Sequence, residues 1–236
     1  MRKEVFQLRE NDENIQGILS FLLKIFNEIL PIASDEICAV YNDPSAESPM
    51  LIIDENPIAI RLHLKNTAKR DQCIYQLAHE LTHYALRQGK EDKNRLLSWF
   101  EETLCEAFSL YVMSIATMRW RECSFYKVDK NYYVKINSYY RGELSKTGDK
   151  ISMCTTLGEL SMINKNAENN RQDRYDIRNK TFELFTRLPK DIKEILNYCK
   201  YLNEDMLTIN FDRWEKEGKY PHFVKELAQI QPKIKE

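Results

Sequence analysis

Gln76-Leu77-Ala78-His79-Glu80-Leu81-Thr82-His83 reads H-E-x-x-H inside one expected helix over 68–88. Residues i and i+4 of a helix lie one turn apart on the same face, so the His79 and His83 imidazoles can reach a single point. Glu80 projects one position round from His79, beside that point. A carboxylate there can take a proton from water activated by a metal ion on the two histidines. The chain has only four histidines, and two of them stand in this spacing. Without a metal, the same residues are two surface histidines and a solvated glutamate on an amphipathic helix. The flanking chain bears on the choice.

Within the expected helix Ile74, Leu77, Ala78, Leu81, Tyr84 and Ala85 form an apolar stripe that anchors it in a core. Asn66 or Thr67 is positioned to cap its start, Gly89 suits the residue past its end, and 90–95 reads as a surface loop. Upstream, 15–30 has apolar residues at helical spacing and stops at Pro31. Short strands are expected at 37–41, 50–53 and 58–64, with a turn over 54–57. In the last strand Ile58, Ile60, Leu62 and Leu64 share one face. Ala59, Arg61 and His63 take the other, where His63 reads as solvated or hydrogen-bonded rather than functional.

Downstream of the motif, Ser98-Trp99-Phe100-Glu101 fits a capping box that opens a second helix, with Glu101 reaching back to Ser98. Over 103–118 the only charged residue is Glu106, which marks a helix buried nearly all round. Carboxylates at Glu102 and Glu106, one turn apart on such a helix, are costly without partners. A divalent metal and a ligating histidine would provide them: Glu102 as third ligand, Glu106 as acceptor of a hydrogen bond from a ligating ring. The other reading places the pair at a solvated helix start.

His79-Glu80-x-x-His83, then eighteen intervening residues, then Glu102 resembles the pattern of zinc metallopeptidases with a glutamate third ligand, the gluzincins. Trp99-Phe100-Glu101-Glu102 is similar to the lead-in to the ligand glutamate in that clan's aminopeptidases, with Thr103 standing where they carry glycine. Glu102-x-x-Cys105-x-x-Phe108-Ser109 also resembles the third-ligand helix of small bacterial metallopeptidases that cleave repressors. The resemblance covers about 58–118. It implies a zincin-like core, a short sheet with an active-site helix under it and a second ligand-bearing helix. With the pattern of the rest of the chain, an α+β fold is expected, the core over 1–120 with a short N-terminal β-sheet and a mainly helical part over 121–236 packed on it as one compact unit.

The later chain carries weaker signals. Trp120, Arg119, Arg121 and Tyr126, Tyr132, Tyr133, Tyr139 and Tyr140 mix aromatic and basic residues, which fits packing and groove lining better than stacking on nucleic-acid bases. A polar loop or frayed helix end is expected over 164–174, helices over 175–188 and 191–201, and further helix over 211–230 broken at 218–221. With 35 Lys+Arg against 36 Asp+Glu the net charge is −1, so no bulk field points to nucleic acid or an acidic membrane. The six cysteines (Cys38, Cys73, Cys105, Cys123, Cys154, Cys199) contain no C-x-x-C pair, and with no signal peptide read at the start, a cytoplasmic location without disulfides is expected. No run is apolar enough for a membrane span.

These residues together point to a Zn2+-dependent metallopeptidase acting on a peptide or protein substrate. His79, His83 and Glu102 would hold the zinc, Glu80 would activate its water, and His222, Tyr220 or Tyr111 would be available to donate to an oxyanion, although Tyr111 also reads as core. Two alternatives belong to other classes. One is a non-catalytic zinc-containing regulatory or interaction module of metallopeptidase fold, and the other is a metal-free helical interaction protein.

Overall fold

The most apolar early run forms a helix, α1 (Glu13–Ile29), in the computed structural model of the protein, which describes residues 5–32, 36–88 and 97–234. Asp12 caps it, its carboxylate accepting the Asn14 and Ile15 N–H groups at 2.9 and 3.0 Å. Ile15, Ile18, Leu22, Ile25 and Phe26 are buried along one face, as their spacing requires. The helix ends before Pro31.

The described residues form one four-stranded sheet of β1 (Phe6–Leu8), β2 (Cys38–Asn42), β3 (Met50–Ile52) and β4 (Ile58–Leu62), in the order β1-β2-β4-β3. The first three neighbours run parallel, with Val40 opposite Ile60, and β3 runs antiparallel to β4 with Leu51 opposite Ile60. As an interior strand, β4 has both faces covered: Ala59 is as buried as Ile58 and Ile60. Arg61 and His63 on that face are half-buried, so the alternation holds for them, and Ala59 alone departs from it because both faces of this interior strand are covered. Strand β1, three residues long, left no readable pattern.

The H-E-x-x-H segment lies in α2 (Arg70–Arg87), which packs on β4 and β3 and against α1. Neither expected cap closes its start. Asn66 caps the preceding turn, accepting Ala68 N–H at 2.9 Å, and Lys69 at the cap position makes no side-chain bond. The acceptor comes from far along the chain. The Tyr132 hydroxyl oxygen receives Arg70 N–H at 2.8 Å and Asp71 N–H at 3.4 Å, while its proton goes to the Asp71 carboxylate at 3.0 Å. Burial and the Asp71 charge push the phenol up to about 12, so it stays protonated. Gly89 and the expected loop over 90–95 lie outside the described residues.

The second buried helix, α3 (Ser98–Met118), contributes to both compact units of the chain. One unit comprises Met1–Gln88 and Ser109–Glu143, the other Gly89–Phe108 and Leu144–Glu236. The first holds the sheet, α1, α2, the end of α3, two short 3-10 turns and nearly all of α4 (Tyr133–Leu144). The second adds α5 (Leu157–Lys165), α6 (Tyr175–Arg187), α7 (Phe211–Glu217), α8 (Pro221–Ile230) and 3-10 segments at Arg171–Arg174 and Ile192–Tyr201. Its aromatic core joins Phe108 to Phe185 (ring centroids 6.1 Å apart) and Phe185 to Phe223 (6.2 Å). The helices expected over 175–188 and 211–230 are present, the latter broken where Gly218 ends α7. The segment expected as α-helix over 191–201 is a 3-10 helix.

The chain is thus a mixed α+β protein with a small sheet formed early and mostly helix afterwards. All six cysteines are free, and burial pushes the Cys38 thiol up to about 12. No described helix is long and apolar enough to cross a membrane.

The Tyr132 cap is testable. Tyr132→Phe keeps the ring but leaves the Arg70 and Asp71 N–H groups without their acceptor, at about 1 kcal/mol. Calorimetry should show Tm lowered by roughly 2–4 °C; an unchanged Tm would show that α2 does not depend on this cap.

Candidate metal centre

One turn of α2 separates His79 from His83, and their Nε2 atoms stand 3.1 Å apart with the rings at 73°. Two donors each ~2.05 Å from a tetrahedral ion stand about 3.3 Å apart. The separation of the pair is therefore close to that of two donors sharing one ion. Glu102 completes the group: one ligand atom each from His79, His83 and Glu102, all within 4.8 Å of one another. His83 is buried while His79 and Glu102 are half-exposed. Two imidazole nitrogens and a carboxylate oxygen form a donor set that suits zinc and its divalent neighbours iron, cobalt and nickel. Three protein donors leave a further coordination position for a small ligand.

The helix under these rings is held by its own side chains. Gln76 clamps α2 to the chain just past β4, its amide accepting His63 N–H and donating to the His63 carbonyl, both at 2.9 Å. Leu77, Ala78 and Leu81 are fully buried, and Thr82 satisfies its hydroxyl on the Ala78 carbonyl at 2.6 Å. Glu80, next to His79, is only 3% exposed. A carboxylate kept from water on a helix that also presents two imidazoles is unusual for a merely solvated face.

Helix α3 carries three carboxylates close together, and each has a different environment. The expected Ser98–Glu101 capping box is not what opens the helix. Leu97 holds the cap position, its carbonyl accepting Phe100 and Glu101 N–H at 3.1 and 2.9 Å, and Asn164 accepts Trp99 N–H at 3.0 Å. Glu101 turns into the core, where its carboxylate accepts the buried Tyr198 hydroxyl. Burial and the Glu101 charge hold the Tyr198 phenol well above its usual range. A capping box does occur, at Thr156 and Glu159 on α5. Glu102 accepts Arg174 Nη2 at 3.2 Å. Glu106, fully buried, accepts Arg171 Nε at 2.6 Å and the same Arg174 Nη2 at 2.8 Å, with Arg178 Nη1 at 3.7 Å from its other oxygen. Thr103, also buried, donates to the Trp99 carbonyl at 2.7 Å, which explains how a polar residue is tolerated there.

The structure therefore brings His79, His83 and Glu102 into one group, with Glu80 beside His79 in sequence. Glu106 takes arginine partners that sequence reading did not assign. His63 is half-buried and its backbone belongs to the Gln76 clamp. Tyr111 is buried. His222 and Tyr220 sit at the start of α8. The His222 ring, 70% exposed, pairs with Glu226 at 2.9 Å, and the Tyr220 ring faces the Lys193 and Lys219 ammonium groups at 5.3 and 5.7 Å. The residues missed are Arg171, Arg174, Arg178 and Tyr198. Only the i, i+3, i+7 spacing of the three arginines hinted at a shared face.

Comparison with protein-family models, with curated proteins and with solved structures finds no match to this chain.

Equilibrium dialysis against zinc or cobalt should give one ion per chain for the unaltered protein. His79→Ala and His83→Ala should retain none at the same free concentration and lose the metal-dependent rise in Tm. Undiminished binding by either variant would remove these imidazoles from the site.

Proposed function

We propose that the protein is a zinc-dependent peptidase of gluzincin type, with His79, His83 and Glu102 holding the ion and Glu80 acting as general base. The observation that carries this reading is the convergence of the three donors, with two Nε2 atoms 3.1 Å apart, on the helix that also buries Glu80. The sheet lends support to a zincin-like core. The sheet has three parallel strands and one antiparallel edge strand, β3, and α2 packs on β4 and β3. Among the described residues β3 pairs with β4 on one side only, so its outer side offers backbone groups to an extended peptide.

Zinc, when bound, supplies a Lewis acid that polarises a carbonyl and acidifies water. The chain's own residues supply the rest. The neutral imidazoles and the Glu102 carboxylate fix the ion and leave room for substrate. The Glu80 carboxylate takes one proton from the attacking water. The remaining hydroxyl bonds to the peptide carbonyl carbon, the C–N bond breaks, and Glu80 returns the proton to the departing nitrogen, giving a carboxylic acid and an amine. Glu80 stands one position round α2 from His79, the place a carboxylate needs in order to take a proton from water held beside the imidazoles. The substrate is a peptide or protein, and a cytoplasmic setting fits six free thiols. The module that keeps zinc but cleaves nothing has no use for a buried carboxylate beside the ligands.

Glu80→Gln should retain the metal and lose hydrolysis by a factor of about 10²–10⁴, since the amide fills the same space and cannot accept the proton. The assay incubates the protein with a mixed peptide library, with and without chelator, and reads cleavage by mass spectrometry. Cleavage that survives both chelation and Glu80→Gln would refute the mechanism.

A further inference from the structure

We infer that Arg174 is a positioning residue for the metal ligand Glu102, holding its carboxylate in place by tying it to Glu106. The inference rests on the reading of His79, His83 and Glu102 as a metal site, and extends it to residues that touch no metal. One nitrogen makes the tie: Arg174 Nη2 donates to Glu102 Oε2 at 3.2 Å and to Glu106 Oε1 at 2.8 Å. A guanidinium –NH2 has two hydrogens, one for each carboxylate. Its other terminal nitrogen, Nη1, donates to the Ala167 carbonyl, so the fork is fixed at both prongs. The Arg174 side chain is 2% exposed and the Glu102 side chain 12%. A buried guanidinium thus reaches a carboxylate that stands at the edge of the interior.

The Arg174 bond is compatible with ligation, since it takes one of the about four lone-pair directions that a carboxylate's two oxygens offer. Hydrogen bonds of this kind to ligating carboxylates fix their orientation and tune their basicity. The surrounding charges explain why an arginine does this. Glu102 and Glu106 lie one turn apart and repel, Arg171 serves Glu106 from a more exposed place, and Arg178 stands 3.7 Å from it. Among the described residues, Arg174 is the cation seen bonding to both glutamates. A lysine would carry the charge without the planar fork.

The test uses the full chain and zinc or cobalt as probe. Arg174→Met leaves Arg171 and Arg178 to balance the two glutamates, and Arg174→Lys restores a cation without the fork. The zinc Kd should rise about 10–100-fold in Arg174→Met and by less in Arg174→Lys. The visible bands of the cobalt-loaded variant should change as the carboxylate becomes misplaced. Combining Arg174→Met with Glu102→Gln should weaken binding less than about twofold beyond Glu102→Gln alone, because Arg174 acts through that carboxylate. Independent, additive losses would overturn the inference. So would an unchanged or tighter Kd in Arg174→Met, the result expected if arginine merely competes with the ion. Loss of cooperative unfolding in metal-free Arg174→Lys would assign Arg174 to the fold instead and overturn it as well. If the unaltered protein binds neither metal, the metal-site reading itself fails and takes this inference with it. Metal binding that is indifferent to Arg174 defeats the inference alone.

Discussion

Three carboxylates enter the apolar interior along one and a half turns of α3, and each is met by a hydrogen-bonding partner. Leaving a carboxylate ionised without a partner in such surroundings would cost several kcal/mol. Glu101 takes the Tyr198 hydroxyl, Glu106 takes Arg171 and Arg174, and Glu102 shares Arg174 while lying with His79 and His83. The chemistry divides along the same lines. Glu101, fully enclosed and hydrogen-bonded to a neutral phenol, is a structural residue. Glu102, the most exposed of the three, is the one within reach of the imidazoles.

The same division of labour runs through α2. Its buried stripe and the Gln76 clamp fix the helix against the chain beyond β4, and the distant Tyr132 hydroxyl closes its first turn. With backbone and stripe fixed, the spacing of four residues suffices to set two imidazole nitrogens 3.1 Å apart. Precise geometry at the rings is therefore inherited from apolar packing several residues away. In the proposed peptidase, that same packing fixes the helix position from which Glu80 acts.

Much of this was legible in the sequence because it is local. The i, i+4 histidines, the adjacent Glu80, the nearly charge-free helix after Glu102, and the breaks at Pro31 and Gly218 are all written within a few residues of where they act. What escaped is non-local. Tyr132 caps a helix that begins 62 residues earlier, and Arg174 meets Glu102 across 72 residues; such pairs leave no period to read. Arg171 and Arg174 were further concealed in a polar stretch that reads as loop or frayed helix end and folds as a 3-10 turn running into α6. The capping box was misplaced for a physical reason. Ser98 and Glu101 have the right letters, but the Tyr198 hydroxyl draws Glu101 inward and Asn164 supplies the cap, while Thr156 and Glu159, on a more exposed helix, are free to form one. In β4 alternation read Arg61 and His63 correctly and missed only the full burial of Ala59, because the strand is interior and covered on both faces.

The central claim is that His79, His83 and Glu102 hold a zinc ion with light-atom donors only. Zinc K-edge X-ray absorption on protein purified without chelator tests it most directly. A first shell of nitrogen and oxygen at ~2.0–2.1 Å, with the outer-shell scattering of two imidazoles, is the expected result. A sulfur shell near ~2.3 Å, or protein that carries no zinc after exposure to it, would contradict the claim.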